Sequence, residues 1–255
     1  MRELWTLTIF QMKRRVRDGF SIGYNVIFPL VITALLGLLT KKQFTQTITS
    51  YQYYALVMIP FCATMSIITA AYAGKEDAYA KTASRYLIAP IHEKNIVVAK
   101  ILSCSLIFSC CNGVTFFVCC ALWHIPSSEN WWLIFLLLCV LSFVIASIGV
   151  LIGTGMKNFL VLKNVINIPI GLCAVAAGVF YPFGTSDRLI QSLQNLSPLT
   201  WINRFVFAAL YDCRSKEIGI LIVILVMVGV GMTALAVKNF QKEEFIHGDL
   251  PGYQK

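Results

Sequence analysis

Five stretches of this chain, Phe20 to Thr40, Tyr51 to Ala73, Ile101 to Trp123, Trp131 to Met156 and Ile218 to Val237, contain no Asp, Glu, Lys, Arg or His. A sixth, Leu160 to Phe180, carries only Lys163 near its start. About 20 apolar residues, at a rise of ~1.5 Å each, cross the ~30 Å hydrocarbon core of a bilayer as a helix. Each block is therefore long enough to span, and the chain is expected to be an all-α integral membrane protein with six transmembrane helices at 20–40, 51–73, 101–123, 131–156, 160–180 and 218–237. Composition agrees: 58% of residues are hydrophobic and 13% charged, against roughly a quarter charged in soluble domains. That balance rules out a disordered chain and argues against a soluble globular one. Among the connections, the longest, 181–217, is too short for a soluble catalytic domain, so 1–255 reads as one transmembrane domain.

The first block is expected to stay as an anchor. It exceeds the usual ~7–15 apolar residues of a signal peptide, and Leu38-Leu39-Thr40-Lys41-Lys42 offers no small-x-small cleavage site. A net charge of +9 would raise nucleic acid as a partner in a soluble chain; here the positive-inside rule accounts for it. Fifteen of the 21 Lys and Arg residues fall in the two tails, in the 74–100 connection, or around Lys157 and Lys163. Both termini are expected in the cytoplasm, in a multi-pass protein of the plasma membrane, with no nucleic-acid partner. Residues 1–19 are expected to form an interfacial helix: Leu4, Trp5, Thr8, Ile9, Met12 and Val16 share one face at 100° per residue, while Arg2, Glu3, Lys13, Arg14 and Arg17 lie mostly on the other. Leu7, Phe10 and Arg15 break that pattern. Eight of the nine cysteines lie inside apolar blocks and read as small packing residues; Cys213 alone sits in the outer connection.

No ionisable side chain sits at mid-bilayer depth, where ion-coupled transporters, proton relays and intramembrane proteases keep theirs. His92, His124 and His247 all fall in connections, which leaves no histidine for an embedded serine or metal site. Gly149 to Lys157 resembles a phosphate loop at a glance, but the G-x-x-x-x-G-K-[ST] spacing fails and no Ser or Thr follows Lys157. Gly149 and Gly153 fit small-xxx-small helix packing instead. The chain is thus expected to be no enzyme and to bind no cofactor. Any uphill movement must draw energy from a partner.

The connection 74–100 is short for a domain and long for a turn. Residues 75–88 have a helix-compatible composition, and Pro90 ends that element. Lys75, Glu76, Asp77, Lys81 and Arg85 mix with Tyr79, Tyr86 and Leu87, a face suited to docking on another protein or to an ordinary solvated loop. Arg85-x-Leu87-x-x-Pro90, with Thr82 before it, the acidic pair Glu76-Asp77 upstream and Lys100 ten residues after the proline, resembles the permease subunits of type 2 ABC exporters. Lys81 stands where that family usually has Gly, Tyr86 where Leu is typical, and Ala99 where Gly precedes the lysine. In the outer connection, Tyr181-Pro182-Phe183, Leu189, Leu193 and Ser197-Pro198-Leu199-Thr200-Trp201 are similar to the family's segments around short re-entrant helices. Taken alone, they read as two short helices that cap the bundle or gate an exit.

The resemblance implies two permease subunits, identical or paralogous, in a lipid bilayer with two ATP-binding cassette subunits that hold the ATP and Mg. It implies that Glu76, Asp77, Thr82, Arg85, Tyr86, Leu87, Pro90 and Lys100 couple the permease to the ATPase. Phe61, Met65, Thr69, Asn167 and Leu172 would line the substrate path, with plain packing as their alternative role. Tyr181, Pro182, Pro198 and Trp201 would form an outer gate. Uncharged walls suggest an apolar or amphipathic cargo. The rival reading is a non-transporting polytopic protein, an immunity or scaffold factor.

Overall fold

The computed structural model describes residues 2–44, 48–88, 91–126, 130–155, 159–181, 188–212, 215–242 and 245. Eleven helices and no strand occur among them: α1 (Arg2–Val16), α2 (Gly19–Leu39), α3 (Ser50–Met65), α4 (Ile67–Tyr79), α5 (Ala83–Ile88), α6 (Glu93–Trp123), α7 (Trp131–Gly155), α8 (Phe159–Ala176), α9 (Arg188–Leu196), α10 (Pro198–Tyr211) and α11 (Ser215–Lys238). The chain is an all-α membrane protein.

The second apolar block becomes α3 and α4, a single 30-residue span from Ser50 to Tyr79 interrupted at Ser66. Thr49 and Gln52 close a capping box at its start, satisfying amide groups that a helix end leaves free. At the interruption, the single Ser66 hydroxyl hydrogen is within hydrogen-bonding reach of both Asn25 Oδ1 of α2 and the Cys62 carbonyl, the latter at 3.0 Å. The polar group is thereby turned inward, away from lipid.

α7 is the central helix, packed on α4, α6 and α11. Its Ile134, Leu137, Leu138, Leu141 and Ile145 are buried against Leu56 and Ile59 of α3. The approach of α4 is close enough that side chains are excluded: a Cβ on Gly153 would lie 2.2 Å from the Ala71 carbonyl, and one on Gly149 2.4 Å from Ala70 Cβ. The small-residue packing expected at these glycines is present, with Ala70, Ala71 and Gly74 as the facing surface.

Six spans were expected; among the described residues five helices are long and apolar enough to cross a membrane, with a shorter apolar helix over Asn164–Ala176. The sixth block forms the 18-residue α8, about 27 Å long, and stops before the block does. Gly178, at φ 70°, takes the left-handed conformation that ends helices. The Val179 amide reaches back to the Ala174 carbonyl at 3.1 Å and the Gly178 amide to Val175 at 3.0 Å, the paired bonds of a Schellman motif. Conversely, α6 runs 31 residues, about 46 Å, starting well before the predicted span at 101. The expected helix over 75–88 is also split, since α4 ends at Tyr79 and α5 starts at Ala83.

Exposed apolar side chains cover the outside: Ile27, Val31 and Leu35 on α2, Ile168 and Leu172 on α8, Val223 and Met227 on α11. A hydrocarbon solvent accepts these faces without cost, whereas water would not.

Candidate functional site

At the end of the bundle that carries α1, the close of α4 and the start of α6, five charged side chains converge. Asp77, fully buried, takes Lys100 Nζ at 2.6 Å and Arg14 Nη1 at 2.8 Å. Glu76, one residue earlier, pairs with Arg14 Nε and lies 3.8 Å from Arg15 Nη2. Lys100 is itself fully buried and also donates to the carbonyls of Ala73 and Gly74 at 2.9 and 3.1 Å. Arg15, 7% exposed, donates from Nε to Ser103 Oγ at 3.1 Å. Each buried charge costs several kcal/mol to strip of water, recovered only when all partners are in place. Three elements distant in sequence are therefore held in one register.

Why α1 can contribute follows from its faces. Leu7, Thr8, Gln11 and Arg15 form its buried stripe, packed on α6. Trp5, Ile9, Phe10 and Val16 stay exposed, an apolar surface suited to the membrane interface. Leu7 and Arg15, which break the amphipathic pattern, do so because the helix has two contacts to satisfy, protein on one side and lipid on another.

Lys81 closes α4 in the left-handed region, at φ 54°. Its amide bonds the Ala78 carbonyl at 3.0 Å, and the Thr82 amide bonds Asp77 at 2.9 Å, again a Schellman pair. This reversal starts α5 back across the site. Tyr86 of α5 faces inward, its hydroxyl 3.5 Å from Gln11 Nε2. Burial, with Asp77 beside it, pushes its phenol up to about 12, so it stays neutral. Phe245, 1% exposed, packs with Ala83 and Ile96, edge-on to Tyr86 at 6.5 Å, and its ring centroid lies 5.2 Å from Lys100 Nζ. Lys242 pairs with Glu93 at 2.7 Å, tying the segment after α11 to the first turn of α6.

Of the eight predicted coupling residues, Glu76, Asp77 and Lys100 form one ion network, with Thr82 and Tyr86 packed around it. Arg85 is exposed. Leu87 lies in α5, and Pro90 falls outside the described residues. Arg14, Arg15, Ser103 and Phe245 were not anticipated. An arginine pair on an otherwise amphipathic helix was the available signal for the first two.

The predicted path residues divide between two places. Phe61 and Met65 belong to a cluster on α3 that includes Ile170 of α8, with Phe61 edge-on to Phe180 at 5.5 Å. Thr69 lines a pocket of about 660 Å³ beside the ion network, walled by Arg14, Arg15, Glu76, Ile68 and Tyr72. On α8, Asn167 has a buried Oδ1 without a hydrogen-bond partner, and Leu172 is exposed. Toward the opposite end, Tyr53 and Tyr54 of α3 donate to the carbonyls of Gly178 and Phe180 at 2.9 and 3.2 Å. Tyr181 follows, exposed; Pro182 and Cys213 lie outside the described residues. Pro198 opens α10 behind the N-cap residue Ser197, whose hydroxyl donates to the Cys173 carbonyl at 2.9 Å. Trp201 donates to the Asn195 carbonyl at 2.8 Å and so pins α10 to the end of α9.

The ion network ties α1, α4 and α6 together, with the exposed Arg85 of α5 beside it. Among curated proteins, no relative matches the chain. Residues 2–211 match the family model described as ABC-2 type transporter.

Proposed function

The chain belongs to the ABC-2 type transporter family as its membrane-spanning permease component, and we propose that separate ATP-binding cassette subunits drive it by docking on α5 and α1. The observation that carries this reading is the ion network Arg14–Glu76–Asp77–Lys100, which makes α1, α4 and α6 move together and leaves Arg85 facing outward on the neighbouring helix. A push on α5 would pass through the Lys81 turn into α4, and through Phe245 into α6 and the segment after α11. ATP and Mg belong to the partner; dimerisation of two such partners would rock two permease subunits against each other.

The cargo is apolar or amphipathic. Phe61, Met65, Asn167 and Leu172 would line its path between subunits, and Thr69 the inner mouth. Tyr181 and Trp201, on the segments fastened by Tyr53, Tyr54 and Asn195, would form the outer gate, with Pro182 and Pro198 shaping it. The lysine and arginine distribution supports cytoplasmic termini in the plasma membrane.

The test pairs the chain with its cognate ATPase in proteoliposomes. Arg85→Glu, or deletion of 81–87, is expected to abolish transport and permease-stimulated ATP hydrolysis while the protein still inserts. Unchanged stimulation would overturn the docking assignment.

A further inference from the structure

A pocket of about 390 Å³ opens at the other end of the molecule, between α3 and α10, walled in part by Tyr53, Thr200, Asn203, Phe207 and Tyr211. Its volume is in the range of ordinary small-ligand sites. Unpartnered buried polar groups are concentrated in its wall. Asn203 is 5% exposed and Thr200 6%, yet Asn203 Oδ1 and Nδ2, Thr200 Oγ1 and the Tyr211 hydroxyl have no hydrogen-bond partner. Many hydroxyls elsewhere in the helices are satisfied by the carbonyl four residues earlier, Thr64 on Pro60, Thr115 on Cys111, Ser142 on Leu138, Thr154 on Val150 and Thr233 on Gly229, with Thr33 of α2 an exception. Thr200 has no such recourse, because it stands in the first turn of α10 and residue 196 belongs to the preceding helix. A buried amide and two hydroxyls left without partners cost free energy that a bound molecule would recover.

The chemistry of these groups selects the molecule. A carboxamide and two hydroxyls each donate and accept, as do the hydroxyls of a polyol. A phosphate or sulfate only accepts and calls for cations, but the one described cation in the wall, Arg204, is exposed at the rim and already bonded to Asn195 Oδ1 at 2.9 Å. The Asp212 carboxylate also lines the pocket but is exposed at its edge, and a trimethylammonium head has no hydrogen to give the buried acceptors of Asn203, Thr200 and Tyr211. Tyr53, Phe207 and Tyr211 follow one another at centroid separations of 5.6 and 6.1 Å, an aromatic wall against which the C–H surface of a polyol can lie. We propose that this pocket binds the neutral, polyhydroxyl headgroup of an amphiphile, with Asn203, Thr200 and Tyr211 as its hydrogen-bonding residues.

The binding experiment contains no ATPase, so it stands or falls separately from the docking assignment. The full chain, purified without glycosidic detergent and placed in phosphatidylcholine nanodiscs, is titrated below the micellar range with octyl glucoside, 1-octanoylglycerol, octylphosphocholine and octyl sulfate, and binding is read by saturation-transfer NMR. Saturable binding of the glucoside or the glyceride, and not of the other two, is expected; which of the two binds more tightly distinguishes a sugar head from a glycerol head. Asn203→Leu together with Thr200→Val should weaken that binding about tenfold or more with helix content unchanged. Equal binding of octylphosphocholine or octyl sulfate by the wild-type chain overturns the proposal. So does the absence of saturation by both polyols, which would leave the pocket to water, or unaltered binding by a folded variant.

Discussion

Asp77 holds two cations where water does not reach, and the consequence of removing it is asymmetric. Asp77→Ala leaves Lys100 buried without its carboxylate, a loss of about 3–5 kcal/mol. Replacing both partners with apolar side chains, Asp77→Leu with Lys100→Met, removes the two desolvation costs as well and should recover most of that stability. Arg14 would still have Glu76. Unfolding by SDS titration, followed by circular dichroism, measures the cycle; a double-variant loss equal to the sum of the Asp77→Leu and Lys100→Met losses would show the pair to be uncoupled. At Lys81 the backbone occupies a region that costs a side chain about 1–2 kcal/mol, partly offset by the greater freedom a glycine has when unfolded. Lys81→Gly should therefore raise stability in the same assay by about 1 kcal/mol. The acidic pair, Lys100 and Arg85 were all marked by their spacing around Pro90. Arg15 could be seen as an exception to the α1 pattern, but its cause is a helix 88 residues later, a contact that local periodicity does not encode.

Helix limits were legible where punctuation is polar and illegible where it is conformational. The bounds of α2, α7 and α11 follow the apolar blocks closely, and the Pro90 stop falls just past the end of α5 at Ile88. α8 ends at a left-handed Gly178 within an apolar run, so hydropathy carries past it. α6 begins within a charged connection, because Lys100 is neutralised by tertiary partners that let a polar turn continue the helix. Between elements, the contact of α4 with α7 depends on the missing side chains of Gly149 and Gly153. Gly153→Ala would put a methyl group 2.2 Å from the Ala71 carbonyl, forcing the helices apart at about 1–3 kcal/mol. Gly231→Ala, on α11 where a Cβ meets nothing within 4 Å, should instead gain the better helix propensity of alanine, about 0.5–1 kcal/mol. Thermal inactivation of the two variants side by side separates close packing from a general intolerance of glycine replacement.

At the scale of the whole molecule, α2, α8 and α11 all present apolar side chains outward, yet their faces are not equivalent. α2 shows Ile27, Val31 and Leu35, and α11 shows Val223, Met227 and Val230, surfaces that lipid tails satisfy fully. The outward face of α8 includes the exposed amide of Asn164 with Val165, Ile168 and Leu172, while Asn167 beside it is half-buried, its Oδ1 covered and without a partner. An amide turned toward hydrocarbon is costly, and in membranes such side chains serve as contacts between helices. If two permease subunits assemble as proposed, α8 is the side on which they meet, and the path would then run between its face and the Phe61–Met65 cluster. A photo-reactive benzoylphenylalanine at Leu172 should cross-link to a second permease subunit in native membranes, whereas the same group at Ile27 or Met227 should label lipid. Cross-links from Met227 and none from Leu172 would move the interface to α11 and leave Asn164 without the partner argued for it. The sequence placed Leu172 on this helix, but not on an outward face, because that face is defined only once α3 and α10 have covered the other side.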